Sequence, residues 1–428
     1  MSAVLIILGA ALVGAPLFAV IGAGALAGFS LAGIDLSVVA IEIFRLADSP
    51  VLVAIPLFAL AGYLLAESRA SQRLVALTEA LLAWAPGGLA LVALLACAFF
   101  TALTGASGVT IIALGALLYP ALRQGGYPDR FALGLVTTSG SLGLLFPPSL
   151  GLILYGVIAQ QMQLGQSVSV EAMFRAGLLP GALMLALLSA WAIWFAHCHG
   201  VRHRVRGPGT PRPSPRAAIR AAIWEIPLPF VIVGGVYGGV LALSEAAAVT
   251  LLYAFVVECL IHREVDLGRL PAIMREAMIL VGAILVILAV SLAATTFLVD
   301  AQVPMRLFAF LRGYIDSPLA FLLALNVFLL LLGMILDLFA ALVIMVPLLL
   351  PVALGYGIDP VHLGIIFLAN LQIGFFTPPV GMNLFIAAQR FGRPVVEIWR
   401  STLPFMGVLL CALALITYWP ALTLALVR

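Results

Sequence analysis

A long-range repeat constrains this chain more than any other feature of its sequence. The segment LGLLFPPS, at Leu142–Ser149, returns about 230 positions later as IGFFTPPV, at Ile373–Val380. The correspondence extends beyond this motif. It pairs Pro120 with Pro351, Asp129 with Asp359 after a slip of one residue, Gly134 with Gly364, Gly143 with Gly374, and Pro147-Pro148 with Pro378-Pro379. The chain therefore contains two halves that are built alike.

Each Pro-Pro pair interrupts an apolar segment of membrane-spanning length. Hydrophobic residues make up 64% of the 428 residues and charged residues only 9%, which is typical of a polytopic membrane protein. Proline removes a backbone donor and clashes with the preceding helical turn. Such a break is tolerated inside a membrane only where protein or a water-filled cavity satisfies the freed groups. Two matched breaks in two halves predict the binding site of a transporter.

The sequence lacks the motifs of ATPases and metalloenzymes. It has no Walker-type phosphate loop and no HExxH motif, so we expect neither ATP hydrolysis nor an enzyme activity. The net charge of +3 is small and says nothing about a nucleic-acid partner. Three histidines lie in a basic loop, where solvated charge is the default. The four cysteines are scattered without ligand spacing, as buried small hydrophobes are: Cys97, Cys198, Cys259 and Cys411.

Arginine placement predicts how the two halves are oriented, because basic residues collect in cytoplasmic loops. The Pro- and Arg-rich linker 199–223 separates the halves and is expected inside. The loop Arg123–Arg130 before the first broken helix is also basic. Its equivalent in the second half, Val352–Pro360, has one aspartate and no basic residue, so it is expected outside. After the second broken helix the chain is basic again, at Arg390–Arg400. Equivalent loops on opposite faces predict an inverted repeat.

An interrupted apolar region precedes each of these loops. Leu89–Tyr119 is interrupted at Thr104–Gly108, and Leu319–Leu350 is interrupted at Gly333–Asp337. The topology closes only if each region enters and leaves the membrane on one face. The predicted fold is therefore an all-α polytopic membrane protein, an inverted repeat with two re-entrant helical hairpins and two broken transmembrane helices.

The remaining segments complete the expected organisation. An apolar stretch ending near Gly28 forms the first span, and whether Pro16 kinks or splits it stays open, as does the side of the N-terminus. Leu36–Ala47 and Leu74–Trp84 are amphipathic and are expected to lie at the interface. Five units are expected. Residues 1–87 form N-terminal scaffold spans and interfacial helices, 199–223 the linker, and 224–300 central scaffold spans that include Trp224–Leu241, Ala246–Ile261 and Ala277–Leu298. The first repeat is 88–198, with hairpin 88–119, broken helix 131–160 and span 172–197, and the second repeat is 301–428, with hairpin 319–351, broken helix 360–389 and last span 402–426.

A broken helix exposes two ends with opposite dipoles. The free N–H groups suit a carboxylate, and the free carbonyls suit a hard cation such as sodium, which prefers oxygen ligands. The expected sodium ligands are Gly105, Ser107, Ser139, Gly140 and Gly143 in the first half, and Gly333, Asp337, Gly374, Thr377 and Met382 in the second. The expected substrate-binding residues, between the two hairpin tips, are Gly105, Ala106, Ser107, Ser141, Asp337, Asn370 and Asn383. The alternative is that these Gly and Ser residues only permit close helix packing.

Several polar residues in apolar surroundings allow two interpretations. Asp337 and Glu245 could mark a pathway, since charge at membrane depth is costly, or could simply cap helices. Asn370, Gln372 and Asn383 lie on the second broken helix and could face the cavity. Asn326 could equally well hold helices together.

A set of phrases along the whole chain resembles the large membrane subunit of tripartite ATP-independent periplasmic (TRAP) transporters. The phrases are TGASG (Thr104–Gly108), YPDRFA (Tyr127–Ala132), GSLGLLFPPS (Gly140–Ser149), GGVYGGVLALSEAA (Gly234–Ala247), GIDPVHLG (Gly357–Gly364) and GFFTPPVGMN (Gly374–Asn383). The resemblance implies an elevator-type secondary transporter of the bacterial inner membrane. It implies sodium as the coupling ion, no organic cofactor, and an organic acid delivered by a periplasmic binding protein. A small membrane subunit is also implied, and we expect it to be a separate chain because no segment here resembles it.

The chain departs from the family pattern at three places. Val109–Ile112 replaces a polar or acidic step after the first tip, Leu243-Ser244 replaces proline and threonine, and Leu338 stands where proline is commoner. These departures bear on substrate preference, and the sequence does not separate a dicarboxylate from a sugar acid such as sialic acid or from a keto acid. A stand-alone ion-coupled anion symporter is the alternative function. A membrane enzyme or scaffold is disfavoured because no catalytic set converges at the breaks.

Overall fold

A computed structural model describes residues 9–10, 13–47, 50–82, 87–162, 168–201 and 215–427. Within those ranges every regular element is helical, which confirms the predicted all-α class. The helices are α1 Leu17–Leu31, α2 Ser37–Ala47, α3 Ala54–Glu67, α4 Ala70–Leu82, α5 Gly88–Thr104, α6 Ser107–Gln124, α7 Asp129–Ser139, α8 Leu150–Gln161, α9 Val170–Cys198, α10 Pro215–Ala221, α11 Pro227–Tyr237, α12 Leu243–Phe255, α13 Leu270–Asp300, α14 Val303–Arg312, α15 Pro318–Ile335, α16 Leu338–Gly355, α17 Pro360–Gly374, α18 Met382–Phe391, α19 Val395–Tyr418 and α20 Ala421–Leu424.

The helices are long and apolar enough for a multi-pass membrane protein. Across the described ranges, seven helical segments could cross a membrane, and an eighth is added if the bent pair α3–α4 counts as one span. In Asp129–Gln161, which contains α7 and α8, 94% of the residues of an apolar 18-residue window are buried, so this broken helix lies inside the molecule. The two helices of the bent pair meet at 74°, which turns α4 away from the direction of α3.

The repeat is visible in the helix boundaries. A shift of 231 residues carries α6, Ser107–Gln124, onto the first and last residues of α16, Leu338–Gly355. The same shift carries α5 onto α15, α7 onto α17 and α8 onto α18, with ends that agree within a few residues. Each half therefore has a helical hairpin (α5–α6 or α15–α16) followed by a broken helix (α7–α8 or α17–α18). Both breaks contain a cis peptide bond, at Pro147-Pro148 and Pro378-Pro379.

The two repeats pack into each other rather than side by side. The second hairpin helix of each repeat contacts the second part of the other repeat's broken helix, as α6 with α18 and α16 with α8. The first parts of the broken helices likewise contact the other repeat's last long helix, as α7 with α19 and α17 with α9. This exchange of contacts makes the two repeats one packed unit.

A second group of helices forms the surrounding scaffold. It is built from α1, α2, α3, α12 and α13: α13 contacts α1, α2 and α3, and α3 also contacts α12. The scaffold meets the repeat unit closely at two places. A side chain at Gly62 of α3 would press on the backbone of Thr104 at the first hairpin tip, and the Ser291 hydroxyl of α13 donates to the Val343 carbonyl of α16 at 2.7 Å.

Several predicted boundaries need correction. The span expected at Trp224–Leu241 is only the 11-residue helix α11, about 17 Å long and too short to cross a bilayer core of about 30 Å. Four glycines near its C-terminus (Gly234, Gly235, Gly238 and Gly239) explain why it ends early. The helix expected at Ala277–Leu298 begins earlier, at Leu270. The span expected at 402–426 is α19, Val395–Tyr418, and Trp419-Pro420 separates it from the short α20.

Other predictions fall partly outside the described residues. These are the start of the first span (1–8 and 11–12), the end of the interfacial helix expected at Leu74–Trp84 (83–86), the loop after the first broken helix (163–167) and most of the linker (202–214). Pro16 directly precedes α1, so it marks a helix start. The second hairpin is interrupted only at Leu336 and Asp337, because α15 continues through Gly333 to Ile335.

Candidate functional site

The first hairpin tip consists of two residues between α5 and α6. Gly105 ends α5 in the left-handed region, at φ +68°, where glycine is favoured. Its N–H donates to the Thr101 carbonyl at 2.8 Å. Ala106 is extended, and α6 then begins at Ser107. A side chain on Gly105 would contact Leu150 at the start of α8, so this tip lies against its own repeat's broken helix.

The same tip also contacts the second repeat through one hydrogen bond. The Ser107 hydroxyl donates to the Asn383 Oδ1 atom at 2.9 Å, across 276 residues of sequence. Ser107 is the first residue of α6 and Asn383 the second residue of α18. We call this meeting point of Ala106, Ser107 and Asn383 the polar corner.

The polar corner has the properties of an anion site. The N-termini of α6 and α18 meet there, and each brings a partial positive charge. The first turn of α6 leaves N–H groups without helical partners, whereas at the start of α18 the N–H groups of Gly381, Asn383 and Leu384 already donate to carbonyls. Asn383 is fully buried, yet its Nδ2 atom has no hydrogen-bond partner among the described residues. A buried donor without a partner is costly, which indicates that a ligand oxygen satisfies it in use.

The repeat places an equivalent corner in the other half, and leucines occupy the two positions whose side chains are polar in the first corner. Asp337 stands there in place of Ala106, and its carboxylate accepts from the N–H groups at the start of α16. The positions equivalent to Ser107 and Asn383 are Leu338 and Leu152. A side chain on Gly151, at the start of α8, would lie 2.9 Å from the Leu338 Cδ2 atom, which shows that α8 and α16 meet there. The fold thus has two related corners, and only one offers polar side chains at these two positions.

The expected ligands of the first sodium site lie close together. A Cβ atom on Gly140 would lie 3.3 Å from the Ser107 carbonyl oxygen. The Gly140 carbonyl accepts a hydrogen bond from the Thr101 hydroxyl at 2.8 Å, and Thr101 bonds to Thr110 at 2.7 Å. Sequence analysis missed these two threonines, because a hydroxyl in an apolar helix has no pattern that separates binding from packing. The structure therefore adds two hydroxyls to this predicted site.

Two other expected ligands of the first site have local roles. The Ser139 hydroxyl donates to the Val136 carbonyl, one turn back in its own helix, at 3.3 Å. Gly143 packs against the backbone of α5, where any side chain would clash with Ala98 and Ala102. Both lie next to the site without pointing a free group into it.

The second expected sodium site also comes together in the fold. A Cβ atom on Gly374 would lie 2.7 Å from the Gly333 carbonyl carbon, so these backbones are in contact. The Thr377 hydroxyl donates to the Ile373 carbonyl at 2.8 Å. Asp337 caps α16 by accepting from the N–H groups of Phe339 and Ala340. Capping, one of the two interpretations of Asp337, is therefore present.

Sequence analysis also missed Gly381, whose backbone joins the second broken helix to the second hairpin. Its N–H donates to the Met334 carbonyl of the second hairpin at 3.0 Å. The Asn383 N–H donates to the Phe375 carbonyl at 2.9 Å, across the break itself. Together these bonds tie the start of α18 to the second hairpin tip and hold Asn383 at the polar corner.

Other predicted polar residues lie away from the polar corner. The Asn370 amide donates to the Asn326 Oδ1 atom at 2.6 Å, and Asn326 bonds in turn to Thr417. The Ser141 hydroxyl contacts the Gln372 carbonyl at 3.3 Å and joins the two broken helices. The Glu245 carboxylate accepts from the Ala242 N–H at 2.8 Å, as a cap does. The first two contacts connect helices, and the third closes a helix start.

An apolar groove opens beside the polar corner. It has a volume of about 230 Å³ and lies between the second hairpin tip and α18. Its walls are Gly333–Leu336 on one side and Val380, Met382, Phe385 and Ile386 on the other. Ile386 reaches Gly108, where a Cβ atom would lie 2.7 Å from its Cδ1 atom. Met382 and Phe385 are exposed, so the groove is accessible from outside the molecule.

Comparison with known proteins identifies the family. The family model "Tripartite ATP-independent periplasmic transporter, DctM component" matches residues 1–422. The chain belongs to this family. This DctM-type chain is 35% identical over 390 residues to the C4-dicarboxylate TRAP transporter large permease protein DctM of Pseudomonas aeruginosa, covering 90% of the chain and 88% of the relative. It is 34% identical over 411 residues to the isethionate TRAP transporter permease protein DctMQ of Oleidesulfovibrio alaskensis, covering 96% of the chain but only 63% of the relative's length.

Solved structures show a similar fold for this DctM family member. The YdaH transporter of Alcanivorax borkumensis superposes with a TM-score of 0.62 at 15% identity, covering 90% of the chain and 87% of YdaH. MtrF of Neisseria gonorrhoeae gives a TM-score of 0.55, also at 15% identity, covering 90% of the chain and 83% of MtrF. The family and the apolar spans together place the chain in the inner membrane as a multi-pass protein.

The described residues hold no group of three His, Cys, Asp or Glu side chains close enough to bind a metal ion. The candidate cation ligands of this DctM chain are backbone carbonyls, hydroxyls and the single carboxylate of Asp337. Such a set suits a monovalent hard cation better than a transition metal.

Proposed function

We propose that the chain is the transport subunit of a system that imports a small organic acid coupled to sodium. A periplasmic binding protein delivers the acid, and a small membrane subunit completes the complex. The observation that carries this proposal is the polar corner. There the N-termini of α6 and α18, from opposite repeats, meet beside the buried Asn383 amide, whose nitrogen has no partner among the described residues.

The polar corner suits an anion that must be released again. It offers backbone N–H groups and the Asn383 amide, and no arginine of the described chain belongs to it or to the groove beside it. Neutral donors at helix N-termini bind carboxylates without the strong attraction of a full opposite charge. A transporter must release its substrate at each cycle, which favours such a weak site.

Sodium coupling follows from the cost of moving an anion into the cell. One negative charge moved against the membrane potential costs about 2.3 kcal/mol per 100 mV. A sodium ion that moves with each negative charge cancels this cost, and more than one adds driving force. The backbone and hydroxyl oxygens that could bind such ions surround Gly140 beside the first tip, and lie where the backbones of Gly333 and Gly374 meet beside the second tip.

The packing supports movement of the repeats as one block, in the manner of an elevator. The exchanged contacts α6–α18 and α16–α8 join the two repeats on both sides of the site. A block of this kind can slide against α3, α12 and α13 while the site itself stays intact. Shape changes of the site are then small compared with its displacement.

Uptake into proteoliposomes tests this function. The complete system, with a cognate binding protein and small subunit, should take up acid under an inward sodium gradient without ATP. Succinate and isethionate are the first probes, because relatives are named for a C4-dicarboxylate and for isethionate. Replacing sodium by potassium should reduce uptake at least tenfold. Unchanged uptake in potassium would refute sodium coupling, and full uptake without the binding protein would favour a stand-alone symporter.

A further inference from the structure

The difference between the two corners bears on the class of substrate. Leu338 and Leu152 occupy the positions equivalent to Ser107 and Asn383. The repeat could have provided two anion sites, one at each corner, but the second corner has leucines at these two positions and the Asp337 carboxylate in place of Ala106. A dianion would leave its second charge at a place without side-chain donors.

The groove beside the polar corner is equally unsuited to a second charge. The side chains that wall it are all apolar, and they begin one residue from the polar corner, at Met382. The nearest charged side chain along the second hairpin tip is Asp337, directly after Leu336. Its carboxylate caps α16 and is not part of the groove wall. A second carboxylate in the groove would lose part of its hydration and would find no donor side chain there, which is unfavourable.

The size and access of the groove suit the uncharged end of a small molecule. Its volume of about 230 Å³ is below the usual range for sites that hold drug-sized ligands. Met382 and Phe385 are exposed along it, so a bound molecule would cover their apolar surface. Covering such apolar surface favours binding. The groove therefore favours a substrate whose far end is carbon-rich rather than charged.

We infer that this chain transports organic acids with a single anionic group. The carboxylate or sulfonate binds at the polar corner, and the uncharged end lies in the groove between Leu336 and Ile386. This inference rests on the proposed function, since it assigns that function's substrate class. It makes Leu336, Met382 and Ile386 the residues that determine specificity.

Ligand-induced thermal stabilisation of the purified chain with its small subunit, in sodium chloride, tests the inference without the binding protein. Butanoate and succinate are matched probes, because they have four carbons each and differ in one carboxylate. Butanoate should bind at least tenfold more tightly than succinate at neutral pH. Succinate binding as tight as or tighter than butanoate binding would overturn the inference.

A designed charge provides the second arm of the test. Leu336→Arg places a cation at the groove, and Leu336 lies in the extended break between helices, where a longer side chain needs no repacking of a helix. The variant should gain at least tenfold in succinate affinity over Leu336→Gln, which controls for the loss of the apolar side chain. No gain would refute the placement of the uncharged end in the groove.

The two proposals fail in different ways. Sodium-driven uptake of succinate with rejection of butanoate would refute the single-anion inference and leave sodium-coupled import intact. Butanoate binding that does not depend on sodium, together with potassium-tolerant uptake, would refute the coupling and leave the substrate class intact.

Discussion

The oxygen of Asn383 accepts from the Ser107 hydroxyl, while its buried amide nitrogen meets no partner in the described part of the chain. Asn326, which is also buried, bonds to both Asn370 and Thr417. The first arrangement leaves a donor for a ligand, and the second joins three helices. The two asparagines therefore predict opposite outcomes on mutation.

Asn383→Leu should abolish transport with little effect on folding. Leucine occupies the equivalent position, Leu152, and is fully buried there, so the fold accommodates this side chain at such a corner. We expect at least a tenfold loss of sodium-driven uptake and a melting temperature within a few degrees of the native value. Asn326→Leu, the matched control, should instead lower stability by about 1–3 kcal/mol, because Asn370 loses its partner. Equal effects of the two substitutions on uptake would contradict these roles.

Thr377→Val should weaken sodium dependence more than it lowers folded yield. The Thr377 hydroxyl lies at the second break and uses its proton on the Ile373 carbonyl, which leaves its oxygen lone pairs for a cation. Valine keeps the volume and removes this oxygen. The measurement is the sodium concentration that gives half-maximal uptake, which should rise several-fold. An unchanged value would show that Thr377 only packs against Met406.

The sequence could predict the polar corner but not everything around it. Ser107 lies in the interruption Thr104–Gly108, and Asn383 follows shortly after Pro378-Pro379, where polarity in an apolar segment is informative. Thr101 and Thr110 lie about one turn into helices on either side of the tip, and only the packing of α5, α6 and α7 brings them to Gly140. Asn370 has the same signal as Asn383, but the helix directs it towards Asn326. Side-chain direction across a break cannot be derived from spacing alone.

One arginine joins α4, the interfacial helix that we call the arm helix, to the rest of the molecule by ion pairs. Arg73 contacts the carboxylates of Glu225, Glu258 and Glu264, which come from three places in the chain. The distance is 2.9 Å to Glu258 and 2.6 Å to Glu264, and only 11% of the Arg73 side chain is exposed. Sequence analysis missed this cluster because its members lie 152 to 191 residues from Arg73.

Arg73→Met should detach the arm helix. Removing one partner of a buried ion pair costs about 3–5 kcal/mol, and here it leaves three carboxylates to repel one another. We expect a clearly lower melting temperature and faster proteolysis after α4. Arg69→Met is the control, because Arg69 is exposed and its backbone N–H, which the substitution keeps, makes the bond to Glu264. A stable Arg73→Met variant would show that packing alone holds the arm.

The same cluster should weaken in acid. Burial alone raises the pKa of Glu264, but hydrogen bonds from Arg73 and the Arg69 N–H outweigh it, and the pKa lies below its usual value. A carboxyl with a lowered pKa stabilises the fold at pH above its unfolded pKa, about 4.3, and this contribution is lost as the pH falls through the folded value. Glu264→Gln should therefore flatten the loss of stability below pH 4, as measured by thermal unfolding. The same acid profile in both proteins would remove Glu264 from this role.

The architecture of the whole molecule is more predictable than its individual spans. The repeat, the two hairpins and the two broken helices follow from paired Pro-Pro motifs and from interruptions such as Thr104–Gly108. The predicted span Trp224–Leu241 is wrong because apolar composition continues through four glycines that end the helix at Tyr237. The predicted last span is misplaced because α19 starts in a polar segment, at Val395, that packing against α7 and α18 keeps helical. Tertiary contacts decide these ends.

The inverted orientation of the repeats is the property on which the elevator proposal depends. Arginine placement puts the loop at Arg123–Arg130 inside and the equivalent loop at Val352–Pro360 outside. The structure supplies a matched pair for labelling. Gly126 and Gly357 are equivalent, both exposed and both in the left-handed region, at φ +89° and +76°. A Cβ atom added at either position would lie more than 4 Å from every described atom, apart from those of the residue itself and its chain neighbours. A cysteine at either position therefore carries the same modest strain.

Single cysteines at Gly126 and Gly357, in a background without the four native cysteines, should react with an impermeant thiol reagent from opposite sides of the membrane. Gly126→Cys should react only in inverted vesicles. Gly357→Cys should react only in cells whose outer membrane has been removed and whose inner membrane is intact. Each hairpin would then enter from its own face, so that both tips reach the polar corner near the middle of the bilayer. A block that carries both tips could expose one bound anion to either side in turn. Labelling of both positions from the same side would refute the inverted repeat, and alternating access by an elevator movement would then lose its structural basis.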